Sequence, residues 1–409
     1  MASEHDRLKD FLIDAAMLLH RYGTPSHRLE RTMTKVGTAL GCDSVFLYTP
    51  TALVISITID GEESTVVRRV DSGEVHVDKL LCTDDVLDRL EQKEITIEEA
   101  RKQLSEIDRA PPLFPFWVYA FACAAGCGSL AVLFRGRPTE VLAASAIGFG
   151  IVVFEKSQSW LGQDRSLLLP VSGFAAAIVS LAIAQFVTPI DHRLVTLAGV
   201  IILIPGLSLT VAMTELAVGH LSAGVARLAG AMVSLLTLFF GAAIAWRLAE
   251  SWRQLPIKPV AAEITAALPP SWVVQWAALL IAPIAFAIIF QARIAQWPVI
   301  IAVSIMGIAT SRFVNPYYGV EVASFTAALV VGCGSNLYAR LRNRPALIAL
   351  TPALIVLVPG SFSYRTLNAL MDHDTIAGVE LGFNTILIAM CLVGGLLTSN
   401  AVVPPKRIM

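Results

Sequence analysis

From residue 113 onward the chain consists of apolar runs long enough to cross a bilayer, and this constrains the fold more than any other feature. Hydrocarbon offers a buried amide no hydrogen-bond partner, so such runs can only be helices or strands of a closed barrel. Strands would alternate apolar and polar residues, and these runs are apolar all round, so they are helices. The runs fall at 115–134, 139–155, 166–187, 194–213, 227–248, 272–290, 297–311, 319–339, 345–359 and 377–400, ten in all, two of them short. Charge follows the same division. Residues 1–112 hold 14 Lys and Arg and 21 Asp and Glu, which is 35 of the 63 charged residues in about a quarter of the length. The expected organisation is therefore a small water-facing α/β domain (1–112), a five-helix membrane unit (113–250), a connecting loop with four prolines (251–271) and a second five-helix unit (272–409).

The net charge of −7 on the first part argues against nucleic acid, which calls for a basic face. Within that part, Leu8, Phe11, Leu12, Ala15, Leu18, Leu19 and Tyr22 recur at helical spacing and predict an amphipathic helix packed on its own domain. A second helix is expected with Thr24 as N-cap and Pro25 as its first residue. Three β-branched runs, parted by Pro50 and by Asp60-Gly61, predict an antiparallel meander, and two charged helices are expected near Asp78–Gln92 and Thr96–Ile107. The six cysteines form no framework; Cys123 and Cys127, one helical turn apart without a His or acidic neighbour, read as packing residues. No metal or cofactor is expected. The opening residues are charged before and within their apolar positions, unlike a signal peptide, so the first domain and the C-terminus are expected on the cytoplasmic side.

The membrane part repeats itself. Pro205-Gly206 and Ala223-Gly224-Val225 recur as Pro359-Gly360 and Ala377-Gly378-Val379, 154 positions later, and "VSGFAAAIV" at 171 matches "VASFTAALV" at 322. Five spans are an odd number, so the two units must run through the membrane in opposite directions. Inverted repeats with Pro/Gly-interrupted helices are transporter architecture, with cargo bound between the repeats. A Pro-Gly break frees backbone groups that only protein or a wet cavity can satisfy. The candidate cargo-binding residues are therefore those at the breaks: Pro205, Gly206, Ser208, Thr210 and Thr214 in the first unit, and Pro359, Gly360, Ser361, Ser363, Tyr364, Arg365 and Asn368 in the second. Charges at membrane depth cost several kcal/mol unless paired or hydrated, which marks Glu215, Arg227, Glu321, Glu380 and Glu155 as candidates for proton or ion coupling, Glu215 first.

Three stretches, "RYGTPSHRLE", "IPGLSLTVAMTELAVGHLSAGVARL" and "RNRPALIALTPALIVLVPGSFSYRTLNAL", resemble the threonine/serine exporter family over about residues 8–400. The family's Pro-Ser/Thr-x-Arg-x-Glu signature maps onto Pro25, Ser26, Arg28 and Glu30. The resemblance implies export of small amino acids across a bacterial inner membrane, driven by the proton motive force. Two-component relatives imply an alternative, export of a C4-dicarboxylate, for which Arg227 and Arg365 would supply cations. An alternative of another class is a membrane-anchored hydrolase using Ser26, His27 and Glu30, but no nucleophile-elbow glycine pattern surrounds the serine. The expected partners are a small-molecule cargo, protons and lipid, with a homo-oligomer allowed. No GxxxxGK[ST] loop is present, so no ATP-driven step is expected in this chain.

Overall fold

A computed structural model describes residues 4–71, 73–160, 167–251, 271–355 and 374–405, together with 357, 366 and 369. The first unit runs α1 (Glu4–Arg21), α2 (Ser26–Ala39), β1 (Asp43–Thr49), β2 (Ala52–Ile59), β3 (Glu62–Arg69), α3 (Val77–Glu91) and α4 (Ile97–Arg109). Its three strands form an antiparallel sheet in the order β1-β2-β3. Asp60 and Gly61, with φ of 52° and 86°, make the two-residue β2–β3 turn, a conformation that Asp and Gly tolerate best. Alternate residues of β1 and β2 point inward: Phe46, Tyr48, Leu53, Ile55 and Ile57 are buried against Phe11, Leu12 and Leu19 of α1 and Leu29 and Met33 of α2. The apolar face of α1 is thus consumed by its own domain, as its spacing predicts. Thr96 caps α4 in a reciprocal pair with Glu99. At α2 the expectation shifts by one residue. Pro25 is itself the N-cap, with extended backbone and no side-chain bond to offer, and Ser26 opens the helix.

The membrane part comprises α5 (Phe116–Leu133), α6 (Pro138–Trp160), α7 (Leu168–Phe186), α8 (His192–Gly199), α9 (Gly206–Ala217), α10 (Leu221–Ser251), α11 (Trp272–Ile289), α12 (Trp297–Arg342), α13 (Leu347–Ile355) and α14 (Thr375–Val402). Seven described helices are long and apolar enough to cross a membrane, and eight if the bent pair α8–α9 is one span. The ten expected runs differ from this for physical reasons. Runs seven and eight are continuous in α12, whose 46 residues would reach about 69 Å, roughly twice a bilayer core. Gly319, at φ 84° and ψ 171°, is not helical, so two helices meet there, three residues past Pro316. Run nine is the nine-residue α13, short of a span by itself, and most of residues 356–373 lie outside the described residues. Run four is broken: His192–Gly199 and Ile201–Ala217 meet at Val200 with a bend of 47°, and within the second segment a 3₁₀ turn at Ile201–Leu203 gives way at Pro205 to α9. Exposed aromatics sit toward helix ends, among them Trp117, Trp160, Trp272, Tyr317 and Tyr318, where a bilayer interface favours them.

Helices within each half touch through glycine. A Cβ added to Gly241 in α10 would lie 1.9 Å from the Pro170 carbonyl oxygen and 3.0 Å from the Phe174 nitrogen in α7. One added to Gly395 in α14 would lie 2.3 Å from the Phe325 oxygen and 2.9 Å from the Leu329 nitrogen in α12. The two glycines are 154 positions apart and meet the same pair of backbone atoms, a carbonyl and the amide nitrogen four residues on. Cys123 and Cys127 are buried in α5, and Cys127 donates to the Gly199 oxygen of α8, a packing role. Between the halves, α5 packs on α11, and α9 packs on α14 and α13. The first unit docks on both halves. Ala223 of α10 is buried in the soluble core, and the Val77 and Asp78 amides donate to the Phe290 and Gln291 carbonyls at the end of α11. Arg293 pairs with Asp78, and Arg344 with Asp85 at 2.5 Å.

Candidate functional site

Pro205 opens α9, and the carboxylate Glu215 on that helix is fully buried. That residue does not stand alone. Arg227, near the start of α10, approaches it with both edges of its fork: Nε donates to Oε2 at 2.9 Å and Nη2 to Oε1 at 3.0 Å. The soluble domain supplies two further donors. The Ser26 amide and Ser26 hydroxyl each reach Oε1 at 2.9 Å. Because Ser26 is the first residue of α2 and its amide has no partner inside the helix, Glu215 is the cap that Pro25 cannot provide. A carboxylate there also meets the positive end of the α2 dipole. Arg227 extends the cluster outward to the Tyr48 hydroxyl, and Tyr48 is bonded in turn to Nδ1 of the buried His20. The other His20 nitrogen meets the Asp71 carbonyl oxygen at 2.6 Å.

Next to this cluster lies a cavity of about 740 Å³. One wall is α2, with His27, Arg28, Glu30 and Arg31 facing in; the membrane wall is largely apolar, with Leu207, Leu350 and Leu396 among its residues, and carries the polar groups Thr210 and Thr214 of α9, Asn336 of α12, Thr351 of α13, and Ser399 and Asn400 of α14. The cavity therefore sits between the two halves and is closed on one side by the signature helix. Glu30 is 3.4 Å from His220 Nδ1, and burial pushes its carboxyl up against the pull of that histidine.

Of the residues expected at the first break, Thr210 and Thr214 reach the cavity, Pro205 and Gly206 shape the helix that carries them, and Ser208 is half-buried and outside the cavity wall. The candidates Pro359, Gly360, Ser361, Ser363, Tyr364, Arg365 and Asn368 lie outside the described residues. The other candidate carboxylates are elsewhere. Glu321 is half-buried beside Gly319, Glu380 is exposed at the start of α14, and Glu155 lines a separate cavity of about 780 Å³ between α6 and the soluble domain. The four signature residues do converge: Pro25, Arg28 and Glu30 line the first cavity and Ser26 holds Glu215. Ser26 is thus engaged as a donor to a carboxylate, which is not the position of a nucleophile activated by His27. Sequence reading missed the partners from distant segments, His220, Tyr48, His20 and Asn336, and also Glu140, which is buried and accepts from the Arg137 and Asp191 amides at 2.7 and 2.8 Å. Only His220 carried a signal, as a titratable residue in the same interrupted stretch as Glu215.

The cluster predicts an acid sensitivity. Burial, with Arg28 next to it, lowers His27 from 6.5 to about 3. The unfolded chain therefore binds a proton that the folded one refuses. The contribution to stability is fully present above about pH 6.5 and drains between about pH 6.5 and 3, by up to ~1.4 kcal/mol per pH unit. Glu30, raised by burial, acts in the opposite sense, stabilising below its ordinary value and losing that as pH rises through the raised one. His27→Gln is expected to flatten the fall in melting temperature between about pH 7 and pH 5. An unchanged slope would place the sensitivity on another group.

The model of the family described as "Putative threonine/serine exporter" matches residues 10–249, and that described as "Threonine/Serine exporter, ThrE" matches 275–402. Among curated proteins, the chain is 28% identical to pheromone-regulated membrane protein 10 of Yarrowia lipolytica, over 85% of this chain and 29% of that protein. It is 25% identical to an uncharacterised protein of Schizosaccharomyces pombe, over 86% of this chain and 47% of that one. The protein of Kluyveromyces lactis with the same name as the Yarrowia relative is 25% identical, over 97% of this chain and 43% of its own length. The chain thus spans less than half the length of these relatives. No solved structure matches it. With one family model covering more than half of the sequence and its companion most of the remainder, the chain belongs to the threonine/serine exporter family.

Proposed function

We propose that the chain exports small amino acids, threonine and serine first, by alternating access between two inverted five-helix repeats, in exchange for protons taken up at Glu215. The observation that carries this is the cavity between the halves. It is lined by hydroxyl and amide side chains from α9, α12, α13 and α14, and Thr214 of its wall is the neighbour of Glu215. The division at 112, 250 and 271 follows the same reading. Its support is the recurrence of the glycine crossing 154 positions apart, together with the kink at Gly319, which gives each half five helices among the described residues when α8–α9 is taken as one bent span. Protonating Glu215 would remove the charge that Arg227 and Ser26 converge on, so a proton could be exchanged there for movement of α2 against α9. The soluble domain and the C-terminus are proposed to be cytoplasmic, and the membrane a bacterial inner membrane, although the relatives above are fungal.

Counterflow of labelled threonine into proteoliposomes tests the proposal: saturable uptake that accelerates with an imposed pH gradient is expected, and flux that does not saturate would indicate a channel instead. A second reading, C4-dicarboxylate export, is favoured by one observation, that both Arg28 and Arg31 face the cavity. The cations assigned to it from sequence do not serve, since Arg227 is committed to Glu215 and Arg365 lies outside the described residues. Competition by succinate stronger than by serine would favour that reading.

A further inference from the structure

The cavity has one strongly asymmetric feature. Among the described residues, every polar side chain that the membrane helices offer it is neutral, namely Thr210, Thr214, Asn336, Thr351, Ser399 and Asn400. Among those residues, titratable groups enter only from α2 and from His220, just before α10. Of the α2 cations, Lys35 is already paired with Glu91. Arg31 is at the exposed edge of the helix. Arg28 is different: it faces the cavity, and its Nη1 nitrogen is buried without a hydrogen-bond partner among the described residues. Burial, with Arg31 as the second cause, lowers its pKa to about 10, which still leaves the guanidinium charged at neutral pH. A buried, charged, unsatisfied donor is costly unless something supplies an acceptor. A guanidinium fork is shaped for a carboxylate.

We propose that Arg28 anchors the carboxylate of the cargo, so that the soluble domain contributes directly to the transport site. The cargo class is a small molecule with one free carboxylate. In the amino-acid reading above, on which the identity of the cargo rests, the ammonium group faces Glu30 and the wall threonines. Both Thr210 and Thr214 spend their own hydroxyl protons on backbone carbonyls one turn back, at 3.3 and 2.9 Å. Their oxygens are therefore left as acceptors for an ammonium or a cargo hydroxyl. The anchor also lies two residues from Ser26, whose amide and hydroxyl hold Glu215. Loading the cavity pulls on the same helix that is pinned to the coupling carboxylate, a direct route from cargo to proton.

The test is equilibrium binding to the full chain in proteoliposomes, using L-threonine, L-threoninamide, which lacks the carboxylate, and propionate, which lacks the amine. The unaltered protein is expected to prefer threonine over threoninamide by about tenfold or more, the worth of a charge-assisted bond. Arg28→Gln should lose threonine by that factor and bring the ratio near one. Arg28→Lys, which keeps the charge and loses the fork, should fall between. Lys35→Gln, on the same helix but already paired, should keep the original ratio. A threonine-to-threoninamide preference that survives in both Arg28 variants overturns the anchor and leaves amino-acid export standing. A collapse of the ratio in Lys35→Gln as deep as in Arg28→Gln overturns it too, since the general field of α2 would then be responsible. Tight propionate binding that depends on Arg28, with no threonine binding at all, upholds the anchor and sinks the amino-acid reading.

Discussion

Replacing Glu215 by alanine is expected to destabilise the docked protein by about 3–5 kcal/mol, the cost of leaving a buried charge without its partner. Glu215 is fully buried, and its side chain takes up Arg227, itself 18% exposed, in a two-pronged pair. Alanine also strands the Ser26 amide and hydroxyl at the start of α2, where no other side chain caps the helix. Much of the loss should appear as undocking of the soluble domain. Thermal melting in detergent would report the total, and cleavage by protease near Pro111-Pro112 would report release of the domain. Removing Arg227 as well should recover part of the loss, because the coupling lies within one pair. A double variant no more stable than Glu215→Ala would mean that Ser26, and not Arg227, is the main partner. Glu215→Gln separates docking from transport. It keeps the shape and a hydrogen-bond acceptor for Ser26, so it should leave threonine counterflow but abolish its response to a pH gradient. Full coupling in that variant would move the proton site to Glu321 or Glu380.

Gly241→Ala and Gly395→Ala are expected to be comparably damaging, at about 3 kcal/mol or more each, beyond the usual cost of overpacking. An added methyl in a core normally displaces a side chain that can rotate. Here it meets main chain: the Pro170 carbonyl at 1.9 Å in one half and the Phe325 carbonyl at 2.3 Å in the other. Neither helix can yield without carrying its neighbours, so α7 must separate from α10, or the second part of α12 from α14. Close backbone approach through small residues is the main way membrane helices gain packing, since lipid competes for every other apolar contact. Gly150→Ala in α6 is the control, since a methyl there meets nothing within 4 Å and should gain a little helix propensity. Melting temperatures of the three variants decide the matter. Gly241→Ala as stable as Gly150→Ala would show that α7 and α10 do not cross where the structure brings them together.

The legible parts of this protein are those governed by local chemistry. The face of α1 from Leu8 to Tyr22 and the Asp60-Gly61 turn each depend on residues a few positions apart, and each forms where the sequence places it. The break at Pro205 is legible for the same reason: proline lacks an amide wherever it stands. Thr24 is not the N-cap its position suggests, because the cap comes from Glu215, 189 residues away from Ser26. The hydrolase reading of Ser26 and His27 depends on their adjacency in sequence, which says nothing of a carboxylate arriving from another domain. Glu155 and Glu380 stand out in the sequence for their charge near a span, but charge alone does not distinguish a rim position from a cavity.

Sequence alone determined that the chain is a helical membrane protein with a charged leading domain, because the bilayer length and the needs of the peptide group leave no other solution for such apolar runs. It also determined where one helix must break, and that Glu215 in its neighbourhood would need a partner. Only the tertiary structure decided which partner. It brought Arg227 from the next helix and Ser26 from the soluble domain onto one carboxylate, and turned Arg28 toward a cavity shared by both halves. The contacts of Ser26 and Arg28 join segments that are remote along the chain. Burial of the apolar faces brings them together, and no local pattern encodes which faces will meet.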